Sequence, residues 1–148
     1  EGRTVIMTTT SGTAALVRCR MAEHVLVGAF LNAQAVAEKA AEIARKNRLN
    51  VSFVLAGEKG LLSLEDFLSA GAIASKFPSG GFDFSDKMLA AVLAFEHVRG
   101  ALSEYVMKSR HAGHLMELGF ERDIEFSCKL DYLDVVPVYR DGRVTLMQ

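Results

Sequence analysis

Apolar and polar positions along the chain switch between two periods, and the switches divide it into strand-like and helix-like stretches. Residues 4–7 (Thr-Val-Ile-Met) are short, β-branched and apolar, the pattern of a buried strand. Residues 23–27 and 51–55 repeat it. Each run ends in small and polar residues and leads toward a helix-like stretch, at residues 14–21, 33–46 and 64–76. In the second helix Val36, Ala40, Ile43 and Ala44 share one face, and Asn32 stands at its N-cap position. Strand–helix units repeated three times predict parallel strands with helical crossovers, in a sheet covered on both faces.

Pro78-Ser79-Gly80-Gly81 interrupts the pattern. Helical spacing then covers residues 86–98, 102–108 and 110–119, the last stopped by Gly119, with a short helix over 123–130. Two β-type runs, 135–139 and 143–146, flank Asp141-Gly142, a strong hairpin signal. The sheet is therefore expected to be mostly parallel and to end in an antiparallel pair. Neither an internal repeat nor a low-complexity tract is visible.

At 148 residues, half of them apolar, the chain is long enough for one α/β domain, 1–148, with its own core. A net charge of −1 implies no basic face for nucleic-acid binding. The apolar runs are far shorter than a membrane span. Glu1-Gly2-Arg3 shows no signal-peptide pattern. Cys19 and Cys128 make neither a disulfide framework nor a metal set, and the expected location is the cytoplasm, with both thiols reduced.

Ligands of open parallel sheets lie at the carboxyl ends of the strands. Three such ends are readable here: residues 8–13, 28–32 and 56–60. The first, Thr8, Thr9, Thr10, Ser11, Gly12 and Thr13, combines hydroxyls with a glycine at a helix start. It reads equally as a capped helix or as an anion site. A nucleotide P-loop is excluded, because no lysine follows Gly12. Asn32 reads as a cap. Ser63, Glu65 and Asp66 read as a capping arrangement, although adjacent carboxylates also suit Mg2+. Glu58 and Lys59 are loop charges at a strand end. Arg110, His111 and His114 share a helical stretch whose plain reading is a polar surface. Cys128 reads as inert, since no neighbour in sequence would lower its pKa. Asp123, Glu125, Asp131 and Asp134 read as a solvated acidic run, with the alternative that Asp131 and Asp134, near a strand start, hold a neighbouring segment.

Five of these stretches together resemble the 2-phosphosulfolactate phosphatase family: Thr-Thr-Thr-Ser-Gly-Thr at 8–13, Gly-Ala-Phe-Leu-Asn-Ala at 28–33, Ala-Gly-x-x-Gly-x-x-Ser-Leu-Glu-Asp at 56–66, Leu-Gly-Phe-x-x-Asp-Ile-x-Phe at 118–126, and Asp-Val-Val-Pro at 134–137. The resemblance covers nearly the whole chain. It implies an α/β fold, specifically a three-layer α/β/α sandwich. It also implies Mg2+-dependent hydrolysis of 2-phosphosulfolactate, or a similar α-hydroxy-acid phosphate, to the hydroxy acid and phosphate, a step of coenzyme M biosynthesis. On it, Thr8, Thr9, Thr10, Ser11, Gly12, Thr13, Asn32 and Glu58 would bind the substrate's phosphate and acid groups. Glu65 or Asp66 would be a magnesium ligand, and His111 and Arg110 would stabilise charge on the phosphoryl oxygens. The partner would be a small-molecule phosphate ester, with no nucleic acid and no membrane, and with a homo-oligomer left open. Two departures accompany the match. The family's Asp-x-x-Arg-Ala-Ser/Thr motif, in an N-terminal portion, has no counterpart here, and the family's cysteine after Asp-Ile-x-Phe falls on Ser127, with Cys128 beside it. The expected alternative to the enzyme is therefore a truncated, non-catalytic anion-binding or association module of the same fold.

Overall fold

The computed structural model describes residues 3–147; Glu1 and Gly2 of the opening tripeptide lie outside the described residues, as does Gln148. Seven α-helices and one hairpin follow in chain order among the described residues: α1 Gly12–Arg18, α2 Ala33–Asn47, α3 Leu64–Ala74, α4 Asp86–Val98, α5 Leu102–Val106, α6 Arg110–Glu117, α7 Glu121–Ser127, β1 Pro137–Arg140 and β2 Arg143–Leu146.

The core is built on α3. Leu68, Ala72 and Ile73 from this helix meet Val36 and Ala37 of α2, Phe95 of α4, and Phe30 from the turn before α2. Leu102, Val106, Ala112, Ile124 and Cys128 extend the same cluster through α5, α6 and α7. Small residues let α3 and α4 approach closely. A Cβ added to Gly71 would lie 2.1 Å from the Ala91 carbonyl oxygen and 3.0 Å from Phe95 Cβ.

The start of α2 differs from the sequence expectation. Asn32 makes no capping bond to the helix. Its Oδ1 instead accepts from the N–H of Ala29 at 2.8 Å, and its Nδ2 donates to the carbonyls of Val27 and Val135 at 3.2 and 3.1 Å. Asp131 supplies the cap from far along the chain: its Oδ1 accepts from the N–H of Gln34 at 2.7 Å. The other oxygen pairs with Lys76 Nζ at 2.7 Å, just beyond α3. One carboxylate thus holds the start of α2 to the end of α3, the alternative to a solvated surface acid.

The hairpin forms as expected. Pro137 pairs with Leu146 and Arg140 with Arg143, and Asp141 and Gly142 both take positive φ. Two positive φ values give the turn the twist that antiparallel strands need.

The expected parallel sheet is not seen among the described residues. Among the described residues the sheet is the two-stranded antiparallel pair of β1 and β2. Residues 25–27 run beside β1 in the opposite sense, through a Leu26–Val138 bridge, with Val27 N–H donating to Pro137 and Tyr139 N–H donating to Val25. Residues 4–7 and 51–55 have no ladder partners among the described residues. Apolar alternation makes a segment strand-like, but a ladder also requires a neighbour that takes its N–H and C=O groups.

Gly71→Ala should destabilise the fold by about 1–3 kcal/mol, because the added methyl meets backbone rather than a movable side chain. Gly113→Ala, in α6 with open space around it, should be neutral or stabilise by up to about 1 kcal/mol. Denaturant unfolding of both variants checks the contrast.

Candidate functional site

Two helix N-termini meet at one small cavity. Ser63 precedes α3, and its buried Oγ accepts from the N–H of Asp66 at 3.2 Å. Ser109 precedes α6, and its buried Oγ accepts from the N–H of Ala112 at 3.1 Å. A cavity of about 110 Å3 lies against both starts, lined by Glu58, Leu61, Leu62, Glu65, Arg110 and His111 together with the two serines and Leu64.

The loop from Gly57 to Leu62 is shaped by its own backbone. Glu58 and Leu61 exchange N–H···O bonds of 3.1 and 2.8 Å, and Lys59 and Gly60 between them take positive φ. Asp66 anchors the loop, with Oδ2 accepting from the N–H of Gly57 at 2.7 Å. Gly57 has φ of 69°, and a Cβ there would come within 2.7 Å of the Leu61 carbonyl oxygen, so glycine is required at this position.

Four residues expected at the site therefore line one cavity: Glu58, Glu65, Arg110 and His111. They come from a loop, the first turn of α3 and the first turn of α6. Glu65 and Asp66 are adjacent in sequence but face different spaces, since neighbouring helical positions are about 100° apart. Asp66 borders a second, larger cavity of about 570 Å3, which is also lined by Thr9, Gly12 and Thr13. The 8–13 segment caps α1, with Thr13 N–H donating to Thr9 Oγ1 at 2.8 Å and Thr13 Oγ1 donating to the Thr9 carbonyl at 3.3 Å. Thr8, Thr9 and Thr10 are exposed, while Ser11, Gly12 and Thr13 are half-buried. Asn32 lies in neither cavity, and both its amide atoms are engaged by backbone. Ser109 was missed in the sequence. A serine directly before the apolar period of α6 was the available signal.

Charge at the small cavity is mixed. Arg110 brings a permanent cation, and two helix starts add free N–H groups and positive dipole ends. Glu58 and Glu65 bring carboxylates. No group of three or more His, Cys, Asp or Glu side chains that could hold a metal occurs among the described residues. An all-protein cage is thus not provided. The donor set fits hydrated Mg2+, which is held by one or two carboxylates and keeps waters or substrate phosphate as its other ligands. Cys128 is buried in the core, and burial pushes its thiol above the ordinary cysteine range, which leaves little of the reactive thiolate near neutral pH.

The family described as 2-phosphosulpholactate phosphatase matches residues 1–142. The chain belongs to that family. It is 38% identical over 142 residues to a probable 2-phosphosulfolactate phosphatase of Thermotoga petrophila, an alignment covering 96% of this chain and 59% of the relative. A protein of the same description from Caldanaerobacter subterraneus subsp. tengcongensis is 36% identical, with 100% and 60% covered. One from Symbiobacterium thermophilum is 33% identical, with 100% and 63% covered. The chain thus spans about three-fifths of the length of these curated relatives.

Asp66→Ala should cost about 1.5–3 kcal/mol, the usual worth of a hydrogen bond to a charged group, and should release the Gly57–Leu62 loop. Asp66→Asn, which keeps an acceptor, should cost less. Unfolding midpoints, together with hydrogen exchange at Gly57, distinguish the two variants.

Proposed function

We propose that this chain acts as a Mg2+-dependent phosphoric monoester hydrolase on 2-phosphosulfolactate or a similar α-hydroxy-acid phosphate, with Glu58, Glu65, Arg110 and His111 at the reacting end. The observation that carries the reading is the convergence of these side chains with two helix N-termini on one cavity, in a chain of this family.

The reaction adds water across the P–O bond of the ester and yields the hydroxy acid and inorganic phosphate. Negative charge on the phosphoryl oxygens must be held through the transition state. Arg110 supplies a fork of N–H donors to two of those oxygens. His111, one residue along α6, adds an imidazole N–H to the same group. The free amides at the starts of α3 and α6 orient the anion. Glu58 and Glu65 would hold Mg2+, which when bound neutralises ester oxygens and positions the attacking group. Asp66 serves through the loop it anchors. The hydroxyls of residues 8–13, across the first turn of α3, would contact the substrate's remaining acid group.

The α-hydroxy acid released is of the kind used in coenzyme M biosynthesis. The finer architecture is a three-layer α/β/α sandwich with a mostly parallel sheet, supported by the strand-type apolar runs at 4–7 and 51–55. The place of action is the cytoplasm, supported by two free thiols. No helix among the described residues is long and apolar enough to cross a membrane.

Phosphate release from 2-phosphosulfolactate and 2-phospholactate, with Mg2+ or with chelator, tests the reading. Release should require Mg2+, and Arg110→Ala should lower kcat/KM by about 10²–10³-fold, the cost of losing one charge-stabilising donor. His111→Ala should lower it by about tenfold or more. Release that ignores both Mg2+ and Arg110→Ala would contradict the assignment. Phosphate binding without any release would favour the non-catalytic anion-binding module.

A further inference from the structure

Three helices start on a serine cap, and the caps differ in where the hydroxyl proton can go. Ser63, Ser85 and Ser109 each accept a backbone N–H through Oγ, from Asp66 at 3.2 Å, Met88 at 3.4 Å and Ala112 at 3.1 Å. That bond uses an oxygen lone pair and leaves the O–H free to donate. Ser85 is exposed, so solvent accepts from it. Ser63 and Ser109 are only 7% and 9% exposed. Among the described residues neither of these two hydroxyls donates to a protein acceptor. Ser75, by contrast, donates through Oγ to the Ala72 carbonyl at 2.8 Å.

Both buried serines line the small cavity, in company with Arg110 and His111, and Ser85 does not. Burying a hydroxyl without an acceptor is costly, so the acceptor must come from whatever fills the cavity. The carboxylates of Glu58 and Glu65 are in the same cavity, yet neither takes these protons among the described residues. What remains is water or an anion that displaces it. The two hydroxyls approach from different helices, beside the guanidinium fork of Arg110. A phosphoryl end offers three terminal oxygens to these donors, while a carboxylate offers two.

We propose that Ser63 and Ser109 are phosphate-binding residues, each capping its helix through the oxygen and donating its O–H to the phosphoryl end of the substrate. This rests on the phosphatase reading and adds to it two donors that select which end of the substrate sits between α3 and α6.

Glycine is nearly as good an N-cap as serine, so Ser63→Gly and Ser109→Gly remove the hydroxyl and largely spare the helix start. Isothermal titration of the chain with 2-phospholactate and Mg2+, and separately with inorganic phosphate, reads binding, and thermal unfolding reads the cap. Each variant should weaken both ligands by about tenfold or more, the worth of a hydrogen bond to a charged group. Its unfolding midpoint should move no further than that of Ser85→Gly, which loses the same kind of cap away from the cavity and should leave both affinities unchanged. Ser109→Thr, which keeps both cap and hydroxyl, should retain the parent affinity. Unchanged affinity in either glycine variant, with binding still weakened by Arg110→Ala, would overturn the inference and leave the phosphatase reading standing. So would weaker binding of 2-phospholactate with unchanged binding of inorganic phosphate, because the serines would then face the acid end. A chain that binds neither ligand would contradict both.

Discussion

The N–H of Gly57 donates to the carboxylate of Asp66 across nine positions, and that bond ties two of the segments lining the small cavity, the Gly57–Leu62 loop and the first turn of α3. It fixes the loop that carries Glu58 to the first turn of the helix that carries Glu65. Ser63 closes the same turn from the other side through the Asp66 N–H. Charged hydrogen bonds of this length are among the stronger local constraints in water. Without it the loop would be tied only by the Glu58–Leu61 pair, and the carboxylates facing Arg110 and His111 would lose their common frame. Asp66 was expected beside the metal, yet its bond makes it the support of the loop rather than a wall of the small cavity.

The frame is held because α3 is buried over its second half. Ala70, Gly71, Ala72, Ile73 and Ala74 are all covered, and the Gly71–Ala91 approach leaves no slack toward α4. Asp131 then locks the far end of α3, through Lys76, to the start of α2. The α3 axis is therefore fixed at both ends by carboxylates and along its side by close packing. A phosphoryl site gains from such support, because oriented donors stabilise developing charge without reorganising.

The helices and the Asp141-Gly142 hairpin were legible in the sequence, since apolar period, caps and turn residues are local signals. The capping of α2 was not. Asn32 has the right type and position, but Val135, 103 residues away, competes for its amide, and Asp131 takes over the cap. Strand pairing was not legible for a related reason: the runs at 4–7 and 51–55 carry strand chemistry, while pairing depends on a neighbour that no local pattern specifies. At the site, each residue of the small cavity could be singled out one at a time as a loop charge, a first-turn acid or a helix-face histidine. That Glu58, Glu65, Arg110 and His111 share one cavity could be read only from the packing of α3 and α6. The split between Glu65 and Asp66 was likewise invisible until the rotation of α3 was fixed by its core.

An amide-resolved NMR titration of the chain with 2-phospholactate and Mg2+ tests most directly whether these parts form one phosphoryl site. Shift changes should concentrate at Gly57–Leu61, at Glu65, and at Ser109 through Ala112, and should shrink in Arg110→Ala. Changes confined to residues 8–13, or spread without regard to the small cavity, would contradict the account.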